Sequence, residues 1–110
     1  MMRQGRVYYN NTVCGIISEE AENKYLFRYE DMYYTDSRLP AISVTLFKTN
    51  QVHRSNGLFA FFYNMLSEGA NRRVQCRILK TDETDDFGLL LKTGANETAG
   101  AITVEEIHGE

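Results

Sequence analysis

The sequence predicts an α+β fold: a small antiparallel, partly barrel-like sheet of about five strands with three helices. Three observations predict it. β-forming residues alternate at period two through the first half of the chain, apolar spacing turns helical from Leu58, and one further β-like segment follows the helices. Strands first, helices next and a strand last describe segregated elements rather than alternating βαβ units. The closing strand must return to the sheet, so the first and last strands are expected to be neighbours.

The elements follow in order. Arg6 to Tyr9 and Thr12 to Ile17 read as strands joined by Asn10-Asn11, a pair that tolerates the positive φ of a tight hairpin turn. Glu19, Glu20, Glu22 and Asn23 lead into a third strand, Lys24 to Tyr29, with Tyr25, Phe27 and Tyr29 on one face and Leu26 and Arg28 on the other. A fourth strand is expected over Ala41 to Phe47, introduced by the only proline, Pro40, with Ile42, Val44 and Leu46 as its apolar face. Ser55-Asn56-Gly57 reads as the cap region of a helix from Leu58 to Leu66. After Ser67-Glu68-Gly69, Ala70, Val74 and Ile78 recur every four residues and predict a second helix to about Leu79 with that stripe in the core. The acidic run Thr81 to Asp86 opens a third helix whose apolar face is Phe87, Leu90 and Leu91 and whose C-terminal cap is Gly94. Gly100 to Val104 is the fifth strand. Residues 1–106 form one domain, and residues 107–110 a polar tail expected to fray.

Composition bounds the function. The chain has 110 residues, 12 Lys+Arg against 15 Asp+Glu, a net charge of -3, and seven Tyr and six Phe. That suits one domain with its own core and is unlike a disordered chain. No apolar run approaches the ~20 residues of a membrane span, and the start carries no apolar signal core, so a cytoplasmic protein with no membrane partner is expected. Cys14 and Cys76 are far apart among apolar residues, read as reduced buried thiols in preference to a disulfide. An acidic pI near 5.4 disfavours direct nucleic-acid binding.

The chemistry on offer is sparse. His53 in a polar loop and His108 in the tail read as exposed surface, with nothing to assemble a Ser-His or Cys-His site. Two distant cysteines and two distant histidines do not make a zinc site, and no cofactor is expected. Asp86-Phe87-Gly88 matches a kinase magnesium-binding tripeptide, yet no phosphate loop, strand lysine or catalytic-loop aspartate accompanies it. Asp86 is therefore helix-start charge, Phe87 a core aromatic and Gly88 incidental. Gly94 to Gly100 precedes a strand rather than a helix and reads as a turn. Arg73, Arg77 and Lys80, with Arg72 beside them, form a basic cluster open to three readings: a solvated face balanced by Asp82, Glu83, Asp85 and Asp86, a contact for an acidic protein surface, or a phosphate contact. Phe59, Phe61, Phe62 and Tyr63 cannot all point one way on a helix, so that segment is either sandwiched or partly presented to a partner.

The segment Leu58 to Gly69 resembles the LxxFFxNLLPEG signature of the N-terminal domain of HipA-type toxin kinases. Ile42 to Leu46 resembles the preceding ISLSLPL segment, Asp86 to Leu90 the FxLL helix start, Gly100 to Val104 the closing GAV strand, and Val7 to Ile17 the opening hairpin. Because the chain ends where such kinases continue, it also resembles the HipS family of small antitoxins in tripartite HipBST systems. That resemblance implies a non-catalytic subunit that binds and inhibits a HipT-like Ser/Thr kinase whose target is a tRNA synthetase, with a HipB-like DNA-binding protein as a further member of the complex. The partner-binding region it suggests is Met65, Leu66, Ser67, Glu68, Gly69, Ala70, Asn71, Arg72, Arg73 and Arg77. Ser67 stands where the family usually has proline, Phe47 replaces the proline of the LPL segment, and Ala70 stands where related antitoxins can carry a bulky Trp. A large aromatic could plug a kinase pocket and Ala70 cannot. The alternative is therefore an adaptor that stabilises the kinase, or links it to HipB, without inhibiting it.

Overall fold

The computed structural model describes residues 3–95 and 101–107. Its strands are β1 (Arg3–Tyr9), β2 (Thr12–Ala21), β3 (Lys24–Tyr29), β4 (Val52–Asn56) and β5 (Ile102–Ile107), and its helices α1 (Asp31–Thr35), α2 (Ala60–Tyr63), α3 (Gly69–Leu79) and α4 (Asp86–Thr93). The strands make one antiparallel sheet in the order β4-β3-β2-β1-β5. The α+β class is as expected, and β5 lies beside β1. The sheet is open rather than partly barrel-like, with β4 and β5 as its two edges. β5 also continues past Val104 to Ile107, which pairs with Gln4, so Ile107 belongs to the sheet rather than to the expected tail. Residues 96–100, where a turn is expected, and 108–110 of the expected tail, His108 among them, lie outside the described residues.

Local chemistry explains most of the sheet. Asn10 and Asn11 both take positive φ (48° and 68°), the geometry that a right-twisted two-residue hairpin requires. Alternation places Val7, Ile17, Tyr25, Phe27, Tyr29 and Val104 in the core, while Leu26 and Arg28 face away. Phe87, Leu89, Leu90 and Leu91 of α4 and Phe62, Met65 and Leu66 around α2 complete the same core.

The expected strand over Ala41 to Phe47 is not one. Ile42 and Leu46 are buried, but Val44 is 82% exposed. Ser43 Oγ accepts from the Thr45 N–H (3.2 Å), and the Leu46 N–H bonds back to Ser43 O (3.1 Å). Short hydroxyl side chains thus fold the segment into a turn, competing with a ladder for the same backbone groups. Four side chains tether the segment between α1 and β4. The Tyr29 hydroxyl donates to Leu46 O and accepts from the Ile42 N–H (3.1 Å). Tyr33 donates to Pro40 O (2.6 Å), and Tyr34 to Thr49 O (3.2 Å). Lys48 Nζ donates to Asp36 O and Leu39 O (2.7 and 2.8 Å) and lies 5.0 Å from the Tyr33 ring centroid. The fourth strand is instead Val52–Asn56. Ser55 and Asn56 belong to it rather than to a helix cap, and His53 sits on it, edge-on to Tyr29 with Nε2 2.8 Å from Phe47 O. A carbonyl can only accept, so that nitrogen carries the hydrogen. The helix expected over Leu58 to Leu66 is shorter. After Tyr63 its bonds tighten to three-residue steps (Met65 to Phe62, Leu66 to Tyr63), which carries both side chains into the core.

One ionic cluster joins the sheet to α4. Arg3 donates to both Glu19 oxygens on β2 (2.8 and 2.9 Å) and to both Asp85 oxygens (2.8 and 3.0 Å), with its guanidinium over the Phe87 ring. Asp85 also caps α4 by accepting from the Gly88 N–H (3.1 Å). Gly88 is therefore not incidental: a Cβ there would land on the Asp85 carboxylate. Hydrogen bonding from Arg3 holds the Asp85 carboxyl below its ordinary value. Its stabilisation is then complete above the usual carboxylate range near 4 and lost as pH falls through the depressed value. Asp85→Asn keeps a capping oxygen and loses the charge. It is expected to cost about 1 kcal/mol at neutral pH, the pair being one-third exposed. It should also flatten the fall in stability between pH 4 and pH 2, measured by urea titration. An unchanged acid limb would remove Asp85 from that role.

Candidate functional site

α3 follows a short exposed turn. Met65 and Leu66 are 6% and 8% exposed and anchor the turn in the core, and Ser67 is half-buried. Glu68, Gly69, Ala70 and Asn71 are exposed. Gly69 opens the helix at φ +61°, a left-handed conformation that disfavours any residue with a Cβ, although there is open space around it. The helix closes on Lys80, itself left-handed (φ 56°), whose N–H bonds to Arg77 O and Cys76 O.

The helix is turned the opposite way from the sequence expectation. Ala70, Val74 and Ile78 face solvent, with Val74 49% and Ile78 72% exposed. The inner face is Arg72, Gln75, Cys76 and Leu79, at positions i, i+3, i+4 and i+7. Arg72 explains the rotation. Its guanidinium pairs with Asp86 at the start of α4 and donates twice to Glu83 O (2.7 and 3.1 Å), and its side chain is only 13% exposed. Burying the Arg72 stem together with Cys76 and Leu79 satisfies a charge and two apolar groups at once, which the apolar stripe alone would not do. The basic cluster is thereby divided. Arg72 is committed to Asp86, as Arg3 is to Asp85, while Arg73 and Arg77 are exposed beside Val74 and Ile78. Of the residues expected at a partner surface, Met65, Leu66 and Arg72 serve the fold. Ser67, Glu68, Gly69, Ala70, Asn71, Arg73 and Arg77 are brought onto one continuous outer strip. Val74 and Ile78, assigned to the core by their period, belong to that strip as well. The clue in the sequence was the competing set Arg72, Gln75, Cys76 and Leu79, equally well spaced and half polar.

Other surfaces carry less chemistry. An open depression at the free edge of the sheet is lined by Glu20, Lys24, Tyr25, Arg54, Ser55 and Asn56. Tyr25 there has its hydroxyl pushed up to about 12, first by burial and then by Glu19. Cys14 and Cys76 are free and buried, and burial pushes the Cys14 thiol up to about 12, far from a reactive thiolate. Among the described residues no group of three or more His, Cys, Asp or Glu could hold a metal ion, and no helix is long and apolar enough to cross a membrane.

The model of the HipA N-terminal domain family matches residues 5–105. Among solved structures, the chain is similar to the N-terminal domain of HipA toxin, with a TM-score of 0.71 and 21% sequence identity, covering 98% of this chain and 95% of that one. At that identity the structural likeness concerns the fold alone. No curated protein matches the chain.

Proposed function

The chain belongs to the HipA N-terminal domain family, and from that premise we propose that it is a non-catalytic antitoxin subunit that binds and inhibits a HipT-type Ser/Thr kinase. The observation that carries this reading is the short turn Ser67–Glu68 with the exposed start of α3, Gly69–Asn71, held on the buried anchors Met65 and Leu66. A short turn fixed at its root can reach a cleft without first being ordered, which lowers the cost of binding. Binding would restore, between separate chains, the contact between a first domain and its kinase, at an affinity that now depends on concentration. A stable inhibitor of this kind should bury more than about 1,000 Å² in total.

A second reading is favoured by Ala70. Its methyl group stands at the exposed start of α3, where steric blocking of a pocket would want bulk. In that case the chain is an adaptor that stabilises the kinase, or ties it to a HipB-like DNA-binding protein, without stopping turnover. Kinase assays separate the two. Titrating the chain against a HipT-like kinase, with a tRNA synthetase as substrate, is expected to give saturable loss of phosphorylation. Full turnover in a stable complex would select the adaptor, and no complex at all would overturn both.

A further inference from the structure

The two arginines that stand unpaired on α3 lie beside the two aliphatic side chains that helix exposes. The chain has eight arginines. Arg3, Arg6, Arg28, Arg38, Arg54 and Arg72 each lie within 4 Å of a carboxylate. Among the described residues Arg73 and Arg77 have no such partner, and both flank the Ala70–Val74–Ile78 stripe, one helical turn apart. The chain as a whole is acidic, at -3, so this positive strip is a local exception rather than a share of a general charge. Val74 and Ile78 leave apolar area in water where Cys76 and Leu79 on the same helix pack inward. Among the described residues, neither the core nor any carboxylate accounts for this face.

The geometry points to the outer face of α3 as a docking surface for a protein partner that offers an aliphatic groove bordered on one side by carboxylates about one helical turn apart. The partner's groove receives Val74 and Ile78, and its carboxylates take the forked guanidinium groups of Arg73 and Arg77. This assignment rests on the reading of the chain as a kinase-binding subunit and names the chemistry of the kinase surface that meets it. It also divides the labour on the strip: the turn Ser67–Glu68 and the start of α3 reach the kinase, and the rest of α3 holds them there. Apolar anchors set the dissociation rate, and the arginine rim sets the association rate and its salt dependence.

Calorimetric and kinetic titration of the HipT-like kinase tests this with four proteins: wild type, Ile78→Asp, the double reversal Arg73→Glu/Arg77→Glu, and Arg54→Glu on β4 as a control for net charge. Ile78→Asp should weaken binding about a hundredfold, mainly through faster dissociation. The double reversal should weaken it at least about tenfold, mainly through slower association, and reduce the dependence on salt. Arg54→Glu should leave it unchanged. Because every substituted side chain is exposed, thermal midpoints should match wild type. Equal binding by wild type and Ile78→Asp would overturn the assignment while leaving the kinase-binding reading intact. A loss with Arg54→Glu as large as that of the double reversal would overturn it too, since general charge would then suffice. If Ile78→Asp abolishes self-association and spares the kinase, the face belongs to a second copy of the chain and the assignment falls. Failure of wild type itself to bind would remove the kinase-binding reading and the assignment together.

Discussion

Tyr29→Phe is expected to lower the stability of the domain by about 2–4 kcal/mol, although it deletes a single oxygen atom. That oxygen serves two backbone groups at once, donating to Leu46 O and accepting from the Ile42 N–H at 3.1 Å. Both partners lie in buried residues, at 1% and 9% exposure, so neither has water to fall back on. Burial also raises the Tyr29 hydroxyl above its ordinary value, which keeps the donor hydrogen in place across the pH range of folding. Domains of this size are stable by only 5–15 kcal/mol, so the variant should show a much lower urea midpoint with an unchanged slope. Proteolysis should shift to the segment between Asp36 and Gln51, which that oxygen helps to hold. A loss under about 0.5 kcal/mol, the range of ordinary surface changes, would mean the turn is held without it.

Phe62→Ala is the second large effect, at about 3–5 kcal/mol. Phe62 is fully buried, with its ring centroid 5.2 Å from Phe61, 5.9 Å from Phe27 and 6.2 Å from Phe59. It is the residue through which the four-residue α2 grips the sheet, and a helix so short has no stability apart from such packing. Truncation leaves a cavity between α2 and β3 that rigid neighbours cannot close. Ile78→Ala supplies the contrast within the same molecule. Ile78 is 72% exposed, so its loss should change stability by less than about 0.5 kcal/mol. Comparable effects of the two substitutions in chemical denaturation would contradict the orientation of α3.

Where the sequence was read correctly, local chemistry had no competitor. Asn10-Asn11 announced the hairpin, the alternation of Tyr25, Phe27 and Tyr29 announced β3, and the acidic run Thr81 to Asp86 before Phe87 announced α4, which starts only at its end. Where the reading failed, a distant partner decided. Ile42, Val44 and Leu46 have the spacing of a strand, but the Tyr29 hydroxyl draws the first and last into a turn and leaves the middle one in water. Ala70, Val74 and Ile78 have the spacing of a core stripe, but Arg72 and its carboxylate on α4 turn the helix over. α1 went unread because its anchors, Tyr33 and Tyr34, make sense only through bonds to Pro40 and Thr49. The proposed contact residues from Ser67 to Asn71 were singled out by their motif. Val74 and Ile78 were missed because period alone does not say which face is inward.

The order β4-β3-β2-β1-β5 has a consequence during synthesis. Among the described elements β1 is made before the others and β5, from Ile102 to Ile107, after them. While the chain emerges from the ribosome, the hairpin of β1 and β2 can form within microseconds, yet one flank of β1 then has no strand beside it. That nascent flank, Arg3 to Tyr9, offers backbone donors and acceptors to any extended chain nearby. It is closed only when Gln4 to Tyr9 meet Ile102 to Ile107 across nearly the whole sequence. A ribosome stalled before Ile102 therefore exposes a sticky β-edge, and the pairing of β5 with β1 is the step that covers it.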